Sequence, residues 1–390
     1  MKYEGIIISD IHFGAFDSSI LMEELYGVYI KYLEHLKVID FIVITGDYFD
    51  HKIYLNERVS KHAVEFMDRL VGIAKTNHCP IRIVYGTESH EVNQYNIFSI
   101  YEDDPTVDFK VITSVMDEDL LPDMRVLYLP EEYIFSKKEY YKDYLDNEEA
   151  YDYIFGHGVI QEVMTEASRS TKEKNGEKRQ HVPIFTTSEL IHMCKGQVYF
   201  GHYHINTNIM DKIFYVGSYS RWMFGEEEAK GFYHTTFDTK KDTYKQKFIE
   251  NELARRYTTY TYGYQSKAIS DEESLLEELS RRDKVIEETQ KDHVRFVFNI
   301  PEDHPNPEFI MKVLNERYRF NNSVKVNVTN GYVDKKKAVN KKSLAQALTD
   351  YPLIFDKSVK IENKIEYFIK KKYGREIDLD KIKRYLYQEN

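Results

Sequence analysis

The segment that most constrains this chain is its first apolar run. Gly5-Ile6-Ile7-Ile8 has no polar position, so it suits a strand buried on both faces of a sheet. It passes directly into Ser9-Asp10-Ile11-His12. Open α/β sheets hold their ligand sites beyond the carboxyl ends of strands. Asp10 and His12 are delivered to such an edge, and a carboxylate with a neutral imidazole suits a divalent metal such as manganese, iron or zinc.

The same arrangement recurs along the chain. Phe41-Ile42-Val43-Ile44-Thr45 runs into Gly46-Asp47-Tyr48-Phe49-Asp50, and the strand at 81–85 into Gly86-Thr87-Glu88-Ser89-His90-Glu91. The strand at 151–155 ends in Gly156-His157-Gly158, and that at 197–200 in Gly201-His202-Tyr203-His204. Helical periodicity over 20–36 and 56–75 separates the first three strands. Strand–helix–strand alternation predicts parallel pairing with right-handed crossovers. Further strands are expected at 109–112, 124–129 and 213–216, and an antiparallel pair at 232–237 and 244–249.

Composition shifts near 251–257. Strands at 257–264, 294–300 and 324–328 with helices at 270–282 and 307–318 predict a small α+β domain. A basic linker begins at Lys335-Lys336-Lys337, and helices are expected at 343–349, 359–373 and 379–387. The expected domains are 1–255, 256–334 and a tail at 335–390.

The 390 residues are 42% hydrophobic and 31% charged, with a formal net charge of -11. That balance allows a large core and does not favour nucleic acid on bulk charge. A local exception is Arg169, Lys172, Lys174, Lys178 and Arg179, which reads either as a solvated loop or as a contact to a phosphate backbone. The longest apolar runs are strand-sized, so no transmembrane helix is expected. The first strand begins almost at once, leaving no room for a signal peptide. Cys79 and Cys194 are the only cysteines and form no metal-type pair, which fits a reducing, cytoplasmic setting. The 33 tyrosines have no functional explanation in the sequence.

Asp10, His12, Asp47, His90, His157, His202 and His204 thus all fall at strand ends. A pair of divalent ions about 3.5–4 Å apart needs one bridging carboxylate and several nitrogen and oxygen ligands. This set contains both.

These motifs resemble the calcineurin-like metallophosphoesterase family over about residues 1–250: Asp10-x-His12, Gly46-Asp47-x-x-Asp50, the Gly86 to His90 loop, Gly156-His157 and Gly201-His202-x-His204. Within it, the stretch 217–232 looks like that of the SbcD nucleases and their bacteriophage recombination-endonuclease relatives. The resemblance implies a two-sheet αββα sandwich with an α+β capping domain that helps bind DNA and a helical tail. It implies two manganese ions, with magnesium poorer. The implied partners are DNA, an SbcC-type ABC ATPase gripped by the C-terminal helices, and a second copy of the chain, with no membrane. Asp10, His12 and His204 would hold one ion, His157 and His202 the other, and Asp47 would bridge. His90 would protonate the leaving 3′ oxygen. The family usually has Gly-Asn-His beside that histidine, with Asn on the second ion. Here Ser89 stands in the Asn place if His90 keeps its register, and Thr87 is the alternative. Asp50 occupies a position where nuclease members often carry a histidine that orients the catalytic one.

The leading expectation is therefore a manganese-dependent DNA nuclease subunit, exonuclease on duplex ends and endonuclease on single strands, in DNA recombination and repair. The alternatives are a small-substrate phosphodiesterase and a catalytically attenuated DNA-binding clamp for the ATPase.

Overall fold

A computed structural model describes residues 1–91, 93–147, 150–163, 181–263, 293–301, 307–317, 324–329 and 359–373. The basic run from Arg169 to Arg179 and the expected helices at 270–282, 343–349 and 379–387 lie outside the described residues.

Four parallel strands open the chain: β1 (Lys2–Ile8), β2 (Phe41–Ile44), β3 (Ile81–Val84) and β4 (Phe109–Ile112). A second sheet follows: β5 (Met116–Leu121), β6 (Met124–Leu129), β7 (Tyr151–His157), β10 (Cys194–Gly201), β11 (Thr207–Ile209) and β12 (Ile213–Tyr215). The short pair β8 (Val159–Ile160) and β9 (Ile184–Phe185) lies between β7 and β10 in sequence. The chain then returns to the first sheet with β13 (Gly231–Asp238) and β14 (Thr243–Glu250). The orders are β14-β13-β1-β2-β3-β4 and β11-β12-β10-β7-β6-β5, and each sheet mixes a parallel centre with antiparallel edge pairs. The strands β5 and β11 and the helix Thr187–Met193 have no counterpart in the sequence reading.

The alternation of side chains explains the layering. Ile6 and Ile8 of β1, with Ile42 and Ile44 of β2, pack outward against Phe66, Met67 and Leu70 of the helix Arg58–Asn77. Ile7, Phe41 and Val43 point the other way, into a core shared with Val126, Tyr128, Tyr153, Phe155 and Tyr199 of the second sheet. Leu127, Ile154, Val198 and Phe200 on that sheet's far face meet Leu190 and Met193 of the helix Thr187–Met193. Both sheets are apolar on both faces, which makes an α/β sandwich of two sheets between helices.

Much of the tyrosine belongs to this packing. Tyr48, Tyr153, Tyr199, Tyr215 and Tyr219 are wholly buried. Each hydroxyl has a partner; Tyr199 donates to Gln197 Oε1 at 2.9 Å and Tyr215 to the Gly158 carbonyl at 3.0 Å. A ring that fills the inter-sheet space and ends in a satisfied hydroxyl costs little to bury.

The helical pattern at 20–36 is continuous but not uniform: Ser18–Glu24 and Lys31–His35 are α-helical, and Leu25–Ile30 between them is a wider π-helix. Beyond the sandwich, β15 (Tyr257–Gly263), β16 (His293–Pro301) and β17 (Val324–Thr329) form a parallel three-stranded sheet. The helix Pro307–Arg317 connects β16 to β17, and Ile361–Tyr373 is a further helix. No helix among the described residues is long and apolar enough to cross a membrane.

Candidate metal centre

The loops after β1 and β2 leave the first sheet side by side. Asp10 N–H donates to the Gly46 carbonyl at 3.1 Å, His12 to Asp47 at 3.0 Å and Phe13 to Tyr48 at 2.8 Å. In the second sheet, Gly201 lies opposite His157 across β10 and β7. Both sheets therefore present their carboxyl edges to one place. Asp10, His12, Asp47 and His202 all have positive φ, at 47°, 53°, 47° and 95°. Such strain costs of order 1–3 kcal/mol per residue and gathers at functional sites.

Glycine is required where these loops meet. A Cβ on Gly46, whose φ is +88°, would lie 2.1 Å from His157 Nδ1. One on Gly86 would lie 2.3 Å from Asp47 Oδ1. The sharp turns and this close approach account for glycine in both motifs.

Two groups of donors result. In the first, His12 Nε2 lies 3.8 Å from Asp10 Oδ1 and 3.7 Å from Asp47 Oδ2, and His204 Nε2 is 4.0 Å from Asp10 Oδ1. In the second, His157 Nε2 is 3.4 Å from Asp47 Oδ2, and His202 Nδ1 is 3.2 Å from Glu131 Oε2. Asp47 Oδ2 belongs to both, and His90 Nδ1 stands 3.1 Å from it. Asp10, His12, Asp47 and His157 form the buried floor. The side chains of His90, His202 and His204 are 31, 29 and 27% exposed and form the open side.

The outward nitrogens of three of the histidines face polar groups of their own. His157 Nδ1 donates to the Thr45 carbonyl at 2.8 Å, which leaves Nε2 unprotonated toward the centre when the ring is neutral. His204 Nδ1 faces Glu226 Oε1 at 3.4 Å, and His12 Nδ1 faces Asp50 Oδ1 at 3.3 Å. Asp50 thus stands behind His12, and its second oxygen meets His51 Nδ1 at 3.0 Å. Neither ring nitrogen of the buried His12 makes a hydrogen bond among the described residues. Its Nε2, turned toward the Asp10 and Asp47 carboxylates with no hydrogen bond to either, is what a cation between them would satisfy.

Charge is concentrated here. Burial opposes ionisation of His157, yet Asp47 pushes it up to about 10; burial likewise opposes charge on His12, yet Asp10 and Asp50 push it up to about 9. Burial would raise Asp47, but His157 holds it well below the usual carboxylate range. Burial, reinforced by Asp47, raises Glu91 to about 8. Glu91 accepts the Tyr48 N–H at 2.9 Å and so fastens the short His90 turn to the end of β2.

Ser89 is placed differently from its expected role. It is exposed in the single turn Glu88–Glu91. Successive residues of a helical turn are about 100° apart, so holding His90 at Asp47 and Glu91 at Tyr48 turns Ser89 outward. Thr87 is the residue that faces the second group. Its hydroxyl lies 3.4 Å from each of Glu131 Oε2, His157 Nε2 and His202 Nδ1, and its N–H donates to Asp47 Oδ1 at 2.7 Å.

Glu131, Trp222 and Glu226 are absent from the residues expected from sequence. Glu131 follows β6 as Leu129-Pro130-Glu131, so the rule that strand ends carry the site applied to it as well. Trp222 packs on His12 and His204, with ring centres 4.8 and 4.7 Å apart. Glu226 accepts the backbone N–H groups of Trp222 and Met223 at 3.0 and 3.2 Å and pairs with the buried Lys230. Burial would raise Glu226, but His204 and Lys230 hold it at about 2.

No family model matches the sequence, and no curated protein does. One crystal structure aligns with 64% of this chain and 100% of its own length at 13% identity, with a TM-score of 0.35. A likeness of that degree carries no inference about function.

Proposed function

We propose that this chain is a two-metal phosphodiester hydrolase of the calcineurin-like metallophosphoesterase type. On this reading it is a manganese-dependent DNA nuclease subunit that works with an SbcC-type ABC ATPase. The observation that carries the hydrolase reading is the position of Asp47: one carboxylate oxygen lies within 3.7 Å of His12 Nε2 and 3.4 Å of His157 Nε2. A buried carboxylate between two sets of nitrogen and oxygen donors is what a pair of hard-to-borderline cations requires.

The donor chemistry fits two ions. Asp10, His12 and His204 would hold one, His157 and His202 the other, and Asp47 both. Ions held there would supply positive charge against the phosphodiester and Lewis acidity that activates water near neutral pH. The chain's own residues do the rest. His90, on the open side beside Asp47, donates a proton to the leaving oxygen. The backbone N–H groups of Thr87 and His202 fix the Asp47 and Asp10 carboxylates. Trp222 packs its ring against His12 and His204 and holds their orientation.

The DNA and ATPase parts of the reading rest on the sequence resemblance and on the elements beyond the sandwich. Ile361, Ile365 and Ile369 recur every four residues in the helix Ile361–Tyr373, the spacing of an apolar face that seeks a partner.

The test is incubation of the purified chain with manganese and end-labelled duplex DNA, with and without chelator and the ATPase. Metal-dependent shortening of the duplex supports the reading. Hydrolysis of nucleotides without attack on DNA would overturn the nuclease part, and no phosphodiester hydrolysis with any divalent ion would overturn the whole.

A further inference from the structure

The second donor group contains a carboxylate that the family resemblance does not supply. We infer that Glu131 is a ligand of the second metal ion, an anionic oxygen in place of the amide usual beside His90, with the Thr87 hydroxyl completing the same shell. This rests on the two-metal reading above.

Glu131 is 5% exposed. Its N–H donates to the Tyr85 carbonyl at 3.1 Å, so the end of β6 in one sheet is tied to the end of β3 in the other, directly over the site. Its Oε2 is 3.2 Å from His202 Nδ1 and 3.4 Å from Thr87 Oγ1. Donor atoms that share one ion at about 2.0–2.1 Å lie about 3.0–3.4 Å from one another, from octahedral to tetrahedral shells. Thr87 Oγ1 at 3.4 Å from Glu131, His157 and His202, and Glu131 at 3.2 Å from His202, fall close to that range, and the donor atoms of Glu131, His157 and His202 all lie within 4.8 Å of one another.

Charge leads to the same assignment. Among the described residues, Glu131 has no Lys or Arg partner, and His202 is its one ion-pair contact. A buried carboxylate is costly unless a cation compensates it, and a metal ion at this point would. The shell of the second ion gains an anion where the family's amide oxygen is neutral, which strengthens its hold on a divalent cation.

The experiment uses the full chain and manganese alone. Ions per chain are counted by equilibrium dialysis over a range of free manganese. Quenching of Trp222, the chain's single tryptophan, reports the first group separately. Two variants are compared. Glu131→Met keeps the volume without an oxygen, and Glu131→Gln restores an amide. Glu131→Met should keep the first ion and its Trp222 quenching midpoint. Its second ion should weaken by at least the about 10–100-fold that losing an outer partner costs. Glu131→Gln should fall between Met and wild type. A second ion held no more weakly in Glu131→Met than in Glu131→Gln would mean that the side-chain oxygen does not ligate it and would overturn the assignment. So would two ions bound with wild-type affinity in Glu131→Met. A wild-type chain that binds fewer than two ions would refute the two-metal reading itself, and this assignment with it.

Discussion

Glu226 Oε1 lies 3.4 Å from His204 Nδ1, which leaves the ring's Nε2 to face Asp10 Oδ1 at 4.0 Å. The same carboxylate meets the buried Lys230 ammonium at 3.3 Å, and that ammonium also donates to the His204 carbonyl at 2.8 Å. One ion pair therefore holds both the ring and the backbone of a candidate ligand.

Removing one partner of that pair should be costly. Glu226→Ala leaves Lys230 buried and uncompensated, so unfolding in urea should show a loss of about 3–5 kcal/mol. Glu226→Ala with Lys230→Met should recover much of the stability. The double variant should still bind the first ion about 10–100-fold more weakly, because His204 has lost its orienting carboxylate. Dialysis with manganese measures that second effect.

The response to pH follows from His12 and His157, raised in the metal-free chain to about 9 and about 10 from an ordinary 6.5. A raised histidine contributes its stability in full below its unfolded value and loses it as pH rises through the folded one. Melting of metal-free protein should thus fall in temperature between about pH 7 and pH 10. Metal ligation needs neutral imidazoles, so manganese uptake near pH 7.5 should release protons, up to about two per chain. Calorimetry in two buffers of different ionisation enthalpy measures that release, and none would contradict the assignment of these rings as ligands.

His90 should behave unlike the floor of the site. His90→Ala should retain both ions, since Asp47 keeps its other contacts, while turnover of an aryl phosphodiester falls by about 10²–10⁴ as for loss of a general acid. Loss of an ion with the ring would assign His90 to metal binding instead.

What could be read from sequence follows one physical rule. An apolar run buried on both faces must stop where the chain becomes polar, so Asp10, Asp47, His157 and His202 announced themselves at the ends of β1, β2, β7 and β10. Glu131 obeys the same rule, but Pro130 precedes it rather than glycine and no histidine follows, so nothing in the local chemistry marked it. The Ser89 register depended on whether the chain after Gly86 is extended or helical. Periodicity does not resolve that in four residues, and the turn Glu88–Glu91 places Thr87 inward instead. Glu226 lay in a polar stretch whose spacing carries no period. Only the packing of Lys230 and His204 around it reveals a role.

The tail gives a separate expectation. A chain ending before Lys341 should keep basal phosphodiester hydrolysis and lose co-purification with the ATPase, because the apolar face at Ile361, Ile365 and Ile369 is removed. Unchanged co-purification would reject that face as the contact.

The most direct measurement is the manganese content and phosphodiester turnover of Asp47→Ala beside wild type. Asp47 sits at φ 47°, where alanine costs about 1–2 kcal/mol, so Asp47→Asn is run alongside as the conformationally tolerant control. Wild type should hold two ions; Asp47→Ala should lose both together with activity, and Asp47→Asn should bind both more weakly. An Asp47→Ala protein that keeps two ions and its full rate would contradict the bridging carboxylate, and with it the two-metal centre.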